Sequence, residues 1–160
     1  MGKTVKHKDI HIEPGHITRR HSEAEADELL TQWLGVFGRN RHGVNSNTFL
    51  WHIFSGDKYP NVSGAEALTQ YKQQQAPEYV VLSNDRKVAF ATDLLPERCS
   101  LHDYYVFPRN LAWTMALTHE DGWLGPFFAR HPSYAVLNDA NLASLKKAQQ
   151  AEAARLKGWR

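Results

Sequence analysis

The sequence predicts an α+β fold: a mostly antiparallel sheet of four or five strands, two helices in the N-terminal half and a C-terminal helix packed on one face. Three observations carry this. Ser22/Glu25 and Ser63/Glu66 each read as a Ser-x-x-Glu capping box ahead of apolar residues at helical spacing. Short β-type runs succeed one another from Glu78 to Ala129 with turn residues between them. A parallel sheet would need crossover helices in those gaps, and the gaps are too short.

Taken in order, residues 1–21 are basic and carry His7, His11, His16 and His21. Pro14-Gly15 marks a turn, so this stretch is expected as a solvated, His-rich arm with at most a short edge strand over Lys6–Ile12. A nickel- or zinc-binding tail is the alternative reading of its histidines. Residues 22–160 are expected to form one α+β domain. Its first helix runs from Glu23 to Phe37 and buries Leu29, Leu30, Trp33, Leu34 and Phe37, with Gly38 as C-cap. Phe49–Phe54 is a short apolar run that fits a buried strand or a helix fragment equally well. The second helix starts after Ser63 and runs to about Gln75, ended by Pro77.

The strands are expected at Glu78–Leu82, Lys87–Thr92, Asp103–Phe107, Leu111–Thr118 and Trp123–Ala129. Ser83-Asn84-Asp85-Arg86 forms the first hairpin turn, and Asp121-Gly122 is the strongest hairpin signal in the chain. Asn138 is placed as the cap of a final helix to about Lys157, with Leu142, Leu145, Leu156 and Trp159 on its buried side.

Composition limits the function. A chain of 160 residues with 42% hydrophobic content and five Trp can bury one core. A net charge of +2 is too weak to imply nucleic acid or a membrane surface. Cys99 is the one cysteine, so no disulfide can form within the chain. No apolar run is long enough for a membrane span, and the N-terminus has no apolar signal core. The expectation is a cytoplasmic protein. Walker, G-x-G-x-x-G and G-x-S-x-G motifs are absent from the sequence.

The candidate site lies in Asn110–Arg130. His119, Glu120 and Asp121 stand side by side at the hairpin reversal, beside Trp123, Phe127 and Arg130. A polar turn needs only Asp121, through an Asx-type bond. The other two groups suit partner contact: aromatic and Arg anchors near a charged tip fit an interface hot spot. A catalytic alternative assigns His119 and Glu120 as base and orienting carboxylate. A metal alternative assigns His52, His119 and Asp121 to zinc or iron, if Phe49–Phe54 lies near the hairpin. His52 within an apolar run also suits a hydrogen-bonded core residue. The aromatics Trp51, Trp113, Trp123, Tyr104 and Tyr105 could stack bases, but they equally suit the core of a small sheet.

Phe49-Leu50-Trp51-His52-Ile53-Phe54-Ser55, then Gly64-Ala65-Glu66-Ala67, Trp113-Thr114, Thr118-His119-Glu120 and Gly125-Pro126-Phe127-Phe128 occur in an ordered series. Over Phe49 to Phe128 this series resembles DUF4275, a family of small bacterial proteins of unknown function. The resemblance marks Trp51, His52, Trp113, His119, Glu120, Gly125 and Pro126 as signature positions and implies no activity. In size and style the chain is also similar to immunity proteins. The function expected is that of a cytosolic bacterial binding protein, an immunity protein or inhibitor that neutralises a toxin domain without a cofactor. The alternative is a metal-dependent hydrolase built on His52, His119, Glu120 and Asp121.

Overall fold

The computed structural model describes residues 10–119 and 124–158. The fold is α+β with antiparallel sheets and a C-terminal helix. The chain opens with strands β1 (Ile12–Glu13) and β2 (Ile17–Arg20), followed by helix α1 (Glu23–Phe37) and the short helix α2 (His52–Ser55). Strand β3 (Val62–Ser63) leads into helix α3 (Gly64–Lys72). The β section comprises β4 (Tyr79–Ser83), β5 (Ala89–Thr92), β6 (Arg98–Cys99), β7 (Tyr104–Phe107), β8 (Trp113–Leu117) and β9 (Phe127–Arg130). Helix α4 (Tyr134–Lys157) follows.

The main sheet has seven strands in the order β2-β5-β4-β7-β8-β9-β3, against four or five expected. The five central strands are those expected from the sequence. The surplus consists of the edges β2 and β3. Ile17–Arg20 is half charged and Val62–Ser63 is two residues long, so neither carries an alternating apolar pattern. Backbone pairing to Phe90–Thr92 and to Phe127–Phe128 recruits them, with one side chain of each, Ile17 and Val62, packed partly buried against the core. A separate two-stranded sheet pairs Ile12 with Cys99 and Glu13 with Arg98. Residues 10–21, expected as part of a solvated arm, are therefore built into the fold. Ile10 and His21 are buried, while His11 and His16 are exposed. His7 lies outside the described residues.

Both faces of the sheet are covered. Val80, Leu82, Tyr105, Ala116 and Phe127 face α1 and α2, where Trp33, Phe37 and Phe54 fill the core. Tyr79, Val81, Phe90, Val106, Met115 and Phe128 face the opposite way, onto Ala67 and Tyr71 of α3. This double coverage explains why β4, β5 and β7 are buried at every position. An antiparallel sheet with one wet face would alternate.

The first helix begins and ends where the sequence placed it. Glu25 N–H donates to Ser22 Oγ at 3.1 Å and Ser22 N–H donates to Glu25 Oε1 at 3.0 Å, a closed capping box. The second box does not form: Ser63 makes no side-chain cap bond. Gly64 instead takes a left-handed φ of 64° and its N–H donates to Pro126 O at 2.9 Å, because Ser63 is already committed to pairing with Phe127.

The last helix departs most from expectation. It starts at Tyr134 rather than after Asn138, and Asn141 is its one buried residue among those described. Leu142 and Leu156 are 41% and 59% exposed, and Trp159 lies outside the described residues. Only the first part of α4 is tethered. Tyr134 Oη contacts Gln74 Oε1 at 3.1 Å, Asn110 Nδ2 donates to Leu137 O at 3.0 Å, and Asn141 Nδ2 donates to Asn110 Oδ1 at 3.2 Å. No helix among the described residues is long and apolar enough to cross a membrane.

Candidate functional site

The segment from Asn45 to Ser55 is fixed by the β4–β5 hairpin. Asn84 Oδ1 accepts from Leu50 N–H at 3.0 Å and from the Tyr105 hydroxyl at 2.7 Å, while Asn84 Nδ2 donates to Thr48 O at 2.8 Å. Arg86 donates to Ser46 O at 2.7 Å. Trp51 N–H donates to the Tyr105 oxygen at 3.0 Å. Burial pushes the Tyr105 hydroxyl well above the usual tyrosine range, so it stays neutral and can donate to Asn84. These bonds hold the Phe49–Trp51 turn against the end of β7.

Antiparallel pairing of Tyr104 with Leu117 brings Asp103, just before β7, beside His119, just after β8. Asp103 Oδ1 accepts from His119 N–H at 3.0 Å and from Trp51 Nε1 at 3.1 Å. Both carboxylate oxygens of Asp103 lie 2.9 Å from His119 Nδ1. A carboxylate accepts only, so Nδ1 carries the proton, and Nε2 is the ring's lone-pair nitrogen when the imidazole is neutral. The Asp103 side chain is 11% exposed and that of His119 is 40% exposed. A sheltered carboxylate therefore orients a half-exposed imidazole.

An aromatic group surrounds this pair. Phe49 stacks on Trp51 with centroids 5.0 Å apart, and the His119 ring is 5.3 Å from Phe49. His52 stands edge-on to Trp51 at 4.6 Å and to Phe49 at 5.5 Å. His52 Nδ1 is 2.7 Å from Asn45 O and must donate to that carbonyl. The two histidines thus border one aromatic pair, each with its Nδ1 proton tied to an oxygen. The described residues contain no group of three His, Cys, Asp or Glu side chains arranged to hold a metal. A metal set with Asp121 would take its carboxylate from outside the described residues, as would a His119–Glu120 catalytic pair.

The base of the hairpin is closed by Thr118 Oγ1, which donates to Leu124 O at 2.6 Å. Glu120, Asp121 and Trp123, expected as contact residues at its tip, lie outside the described residues. Phe127 is 4% exposed and stacks on Trp51 at 6.2 Å, so it supports the site from below and does not present a surface. Its position in β9 points it to the α1 face of the sheet, a parity that strand register decides. Arg130 is exposed at the other end of β9, over the Tyr134 ring at 4.3 Å.

Asp103 is the residue that sequence reasoning missed. It immediately precedes an unremarkable strand, and only the β7–β8 register shows that it faces His119. Phe49 belongs in the sequence to an apolar run and to the first of the ordered motifs, and neither marks it as a neighbour of His119.

Fold and site together define a small α+β protein with a carboxylate-oriented histidine set in an aromatic surface at one end of an antiparallel sheet. The chain belongs to DUF4275, described as a domain of unknown function, whose family model matches residues 3–128. The match reaches β9 and stops short of α4. Comparison with curated proteins and with solved structures gives no match.

Proposed function

We propose that this is a cytosolic bacterial binding protein that neutralises a toxin domain by direct contact, in the manner of an immunity protein or inhibitor. The observation that supports it is the Phe49–His52–His119 surface over Trp51. Its rings are pre-positioned by Asp103, Tyr105 and Asn84, so little side-chain entropy is lost on binding. Aromatic anchors with a fixed polar group are the usual substance of a binding hot spot. Glu120 and Asp121, which follow His119 in the sequence, would add negative charge against a basic partner. The test is native capture of the untagged protein from its own cells, followed by affinity measurement with the captured partner. His119→Ala and Phe49→Ala should each weaken binding by about 2 kcal/mol or more. A partner bound equally well by both variants would move the contact surface elsewhere.

A second reading rests on the His119–Asp103 pair itself. An imidazole whose Nδ1–H is held by a carboxylate is the arrangement of a general base and of a metal-bound histidine. A hydrolase on this pattern would use His119, with His52 and Glu120 or Asp121 as further ligands or base. Zinc or iron would suit such a donor set and would polarise a carbonyl or activate water. Metal analysis of the captured protein separates the readings: stoichiometric metal without a protein partner favours the hydrolase.

A further inference from the structure

The loop after α1 runs back along α2. Lys58 Nζ lies against Gly43, where an added Cβ would be 3.4 Å from it. Val44 packs on Gly56, and Asn45 O accepts the His52 Nδ1 proton at 2.7 Å. Gly43, Val44 and Asn45 thus meet Lys58, Gly56 and His52 in turn, antiparallel to them. One end of this loop adjoins the Phe49–His52 edge of the aromatic surface, and the other carries Arg39, Arg41 and His42. His42 is three residues from Asn45, so the two ends lie within about 11 Å of each other along the backbone.

Arg39 and Arg41 are exposed, yet each is held in place. Arg39 Nε donates to Gly35 O and Arg41 Nη1 donates to Gly38 O, both at 2.7 Å. These bonds satisfy carbonyls at the C-terminal end of α1, where the helix dipole favours a cation. Closing the helix takes one N–H from each side chain and leaves the rest of its fork. Arg39 keeps Nη1 and Nη2, and Arg41 keeps Nε and Nη2, each a pair of parallel donors that matches a carboxylate. Among the described residues no carboxylate pairs with Arg39, Arg41 or Lys58. Between Arg39 and Lys58 the sequence holds one acid, Asp57.

We infer that Arg39, Arg41 and Lys58 dock a carboxylate-bearing segment of a protein partner, beside the Phe49–His52–His119 contact. This rests on the binding-protein reading above and adds to it the charge of the partner where it meets this loop. Glu120 and Asp121 follow His119 in the sequence, so the partner's surface is mixed in charge and acidic toward the loop. A phosphate chain suits the place less well. Asp57 stands exposed beside Lys58 and the whole chain carries only +2, so a polyanion gains little from counterion release. Discrete carboxylates gain geometry as well as charge from two placed forks, and the arginines lose little freedom on binding.

Fluorescence anisotropy of the full chain with a labelled oligoglutamate peptide, and with an oligouridylate of equal charge, tests this. Oligoglutamate should bind at low salt and weaken as salt rises. Arg39→Gln with Arg41→Gln should weaken it by at least about tenfold. Arg39→Lys with Arg41→Lys keeps the charge but loses the forks, so it should restore only part. Lys146→Gln with Lys147→Gln, an equal loss of charge on α4, should change nothing. Circular dichroism checks that each variant folds. Lys58 Nζ makes no hydrogen bond among the described residues, so Lys58→Gln, which should also weaken binding, tests the loop even where the arginine pair fails to fold. Oligoglutamate that does not bind, or that binds the arginine and α4 variants alike, would overturn the inference. So would a preference for oligouridylate that is lost with the same arginines. The captured partner separates this inference from the reading it rests on. A partner weakened by Phe49→Ala but indifferent to the arginine and Lys58 variants would remove the acidic contact and leave the binding protein. A complete lack of protein partner would remove both.

Discussion

Asp103 holds His119 by two separate groups: its carboxylate accepts the backbone N–H at 3.0 Å and the ring Nδ1–H at 2.9 Å. The same carboxylate accepts the Trp51 indole N–H at 3.1 Å. One side chain thereby joins β7, the hairpin after β8 and the segment before α2. Replacing Asp103 by Ala leaves these donors without their acceptor in a sheltered place. The expected loss is about 1–3 kcal/mol of stability, read from urea unfolding. His119→Ala, which leaves Trp51 bonded to Asp103, should cost less.

A second buried pair tests the core. Trp33 Nε1 donates to Thr114 Oγ1 at 3.0 Å, and both residues are fully buried. Thr114→Val keeps the shape and removes the acceptor, so the indole N–H is stranded. A loss of about 1–3 kcal/mol is expected, from the unsatisfied donor alone. Adding Trp33→Phe should recover little, because it trades the stranded donor for a cavity among Phe37, Phe54 and Tyr105. An unchanged denaturation midpoint for Thr114→Val would show that the bond contributes nothing.

The capping box gives a pH dependence with a definite sign. The Ser22 backbone N–H holds the Glu25 carboxyl below its ordinary value, aided by Arg19 and His21 and opposed by desolvation. A carboxyl whose pKa is depressed by folding stabilises the fold above its unfolded pKa and loses that contribution as pH falls through the folded one. Wild type should therefore melt above Glu25→Gln at neutral pH, and the gap should close in acid, below the usual carboxylate range. Ser22→Ala should cost about 1 kcal/mol. Thermal melts across pH check both; a gap that widens in acid would contradict the assignment.

Gly125 is required by its backbone. Its φ is 88°, and an added Cβ would sit 3.1 Å from both Phe127 Cε2 and Thr118 Cγ2. Gly125→Ala should cost more than about 1 kcal/mol, since a left-handed backbone and a close contact combine. The displaced Thr118 adjoins His119, so partner affinity should fall with stability. Calorimetry on the variant with and without the captured partner distinguishes the two effects. Equal stability to wild type would mean that the turn relaxes without cost.

Much of this fold was legible along the chain because local rules governed it. The Ser22–Glu25 box and the apolar spacing to Phe37 gave α1 its limits, and the β4–β5 hairpin followed from its polar turn. The Ser63–Glu66 pattern misled because Ser63 is consumed by a strand. Asn138 misled because Tyr134 docks first, on Gln74 and Arg130, and starts the helix a turn earlier. In both places a tertiary contact outweighed a local preference worth about 1 kcal/mol.

The candidate site divides in the same way. His119 and His52 stood out by residue type and position, and the ordered motifs marked the DUF4275 family. Residue type and periodicity determined, by themselves, the α+β class, the central strands and the aromatic segments. Which residues meet was decided only by the tertiary structure. Strand register sets Asp103 against His119, and sheet parity turns Phe127 inward. Edge pairing recruits β2 and β3, and α4 outruns the surface on which it starts. A sequence pattern reports which face of an element prefers to be buried. It does not report which partner arrives there, because pairing across a sheet is fixed by hydrogen bonds between segments far apart in the chain.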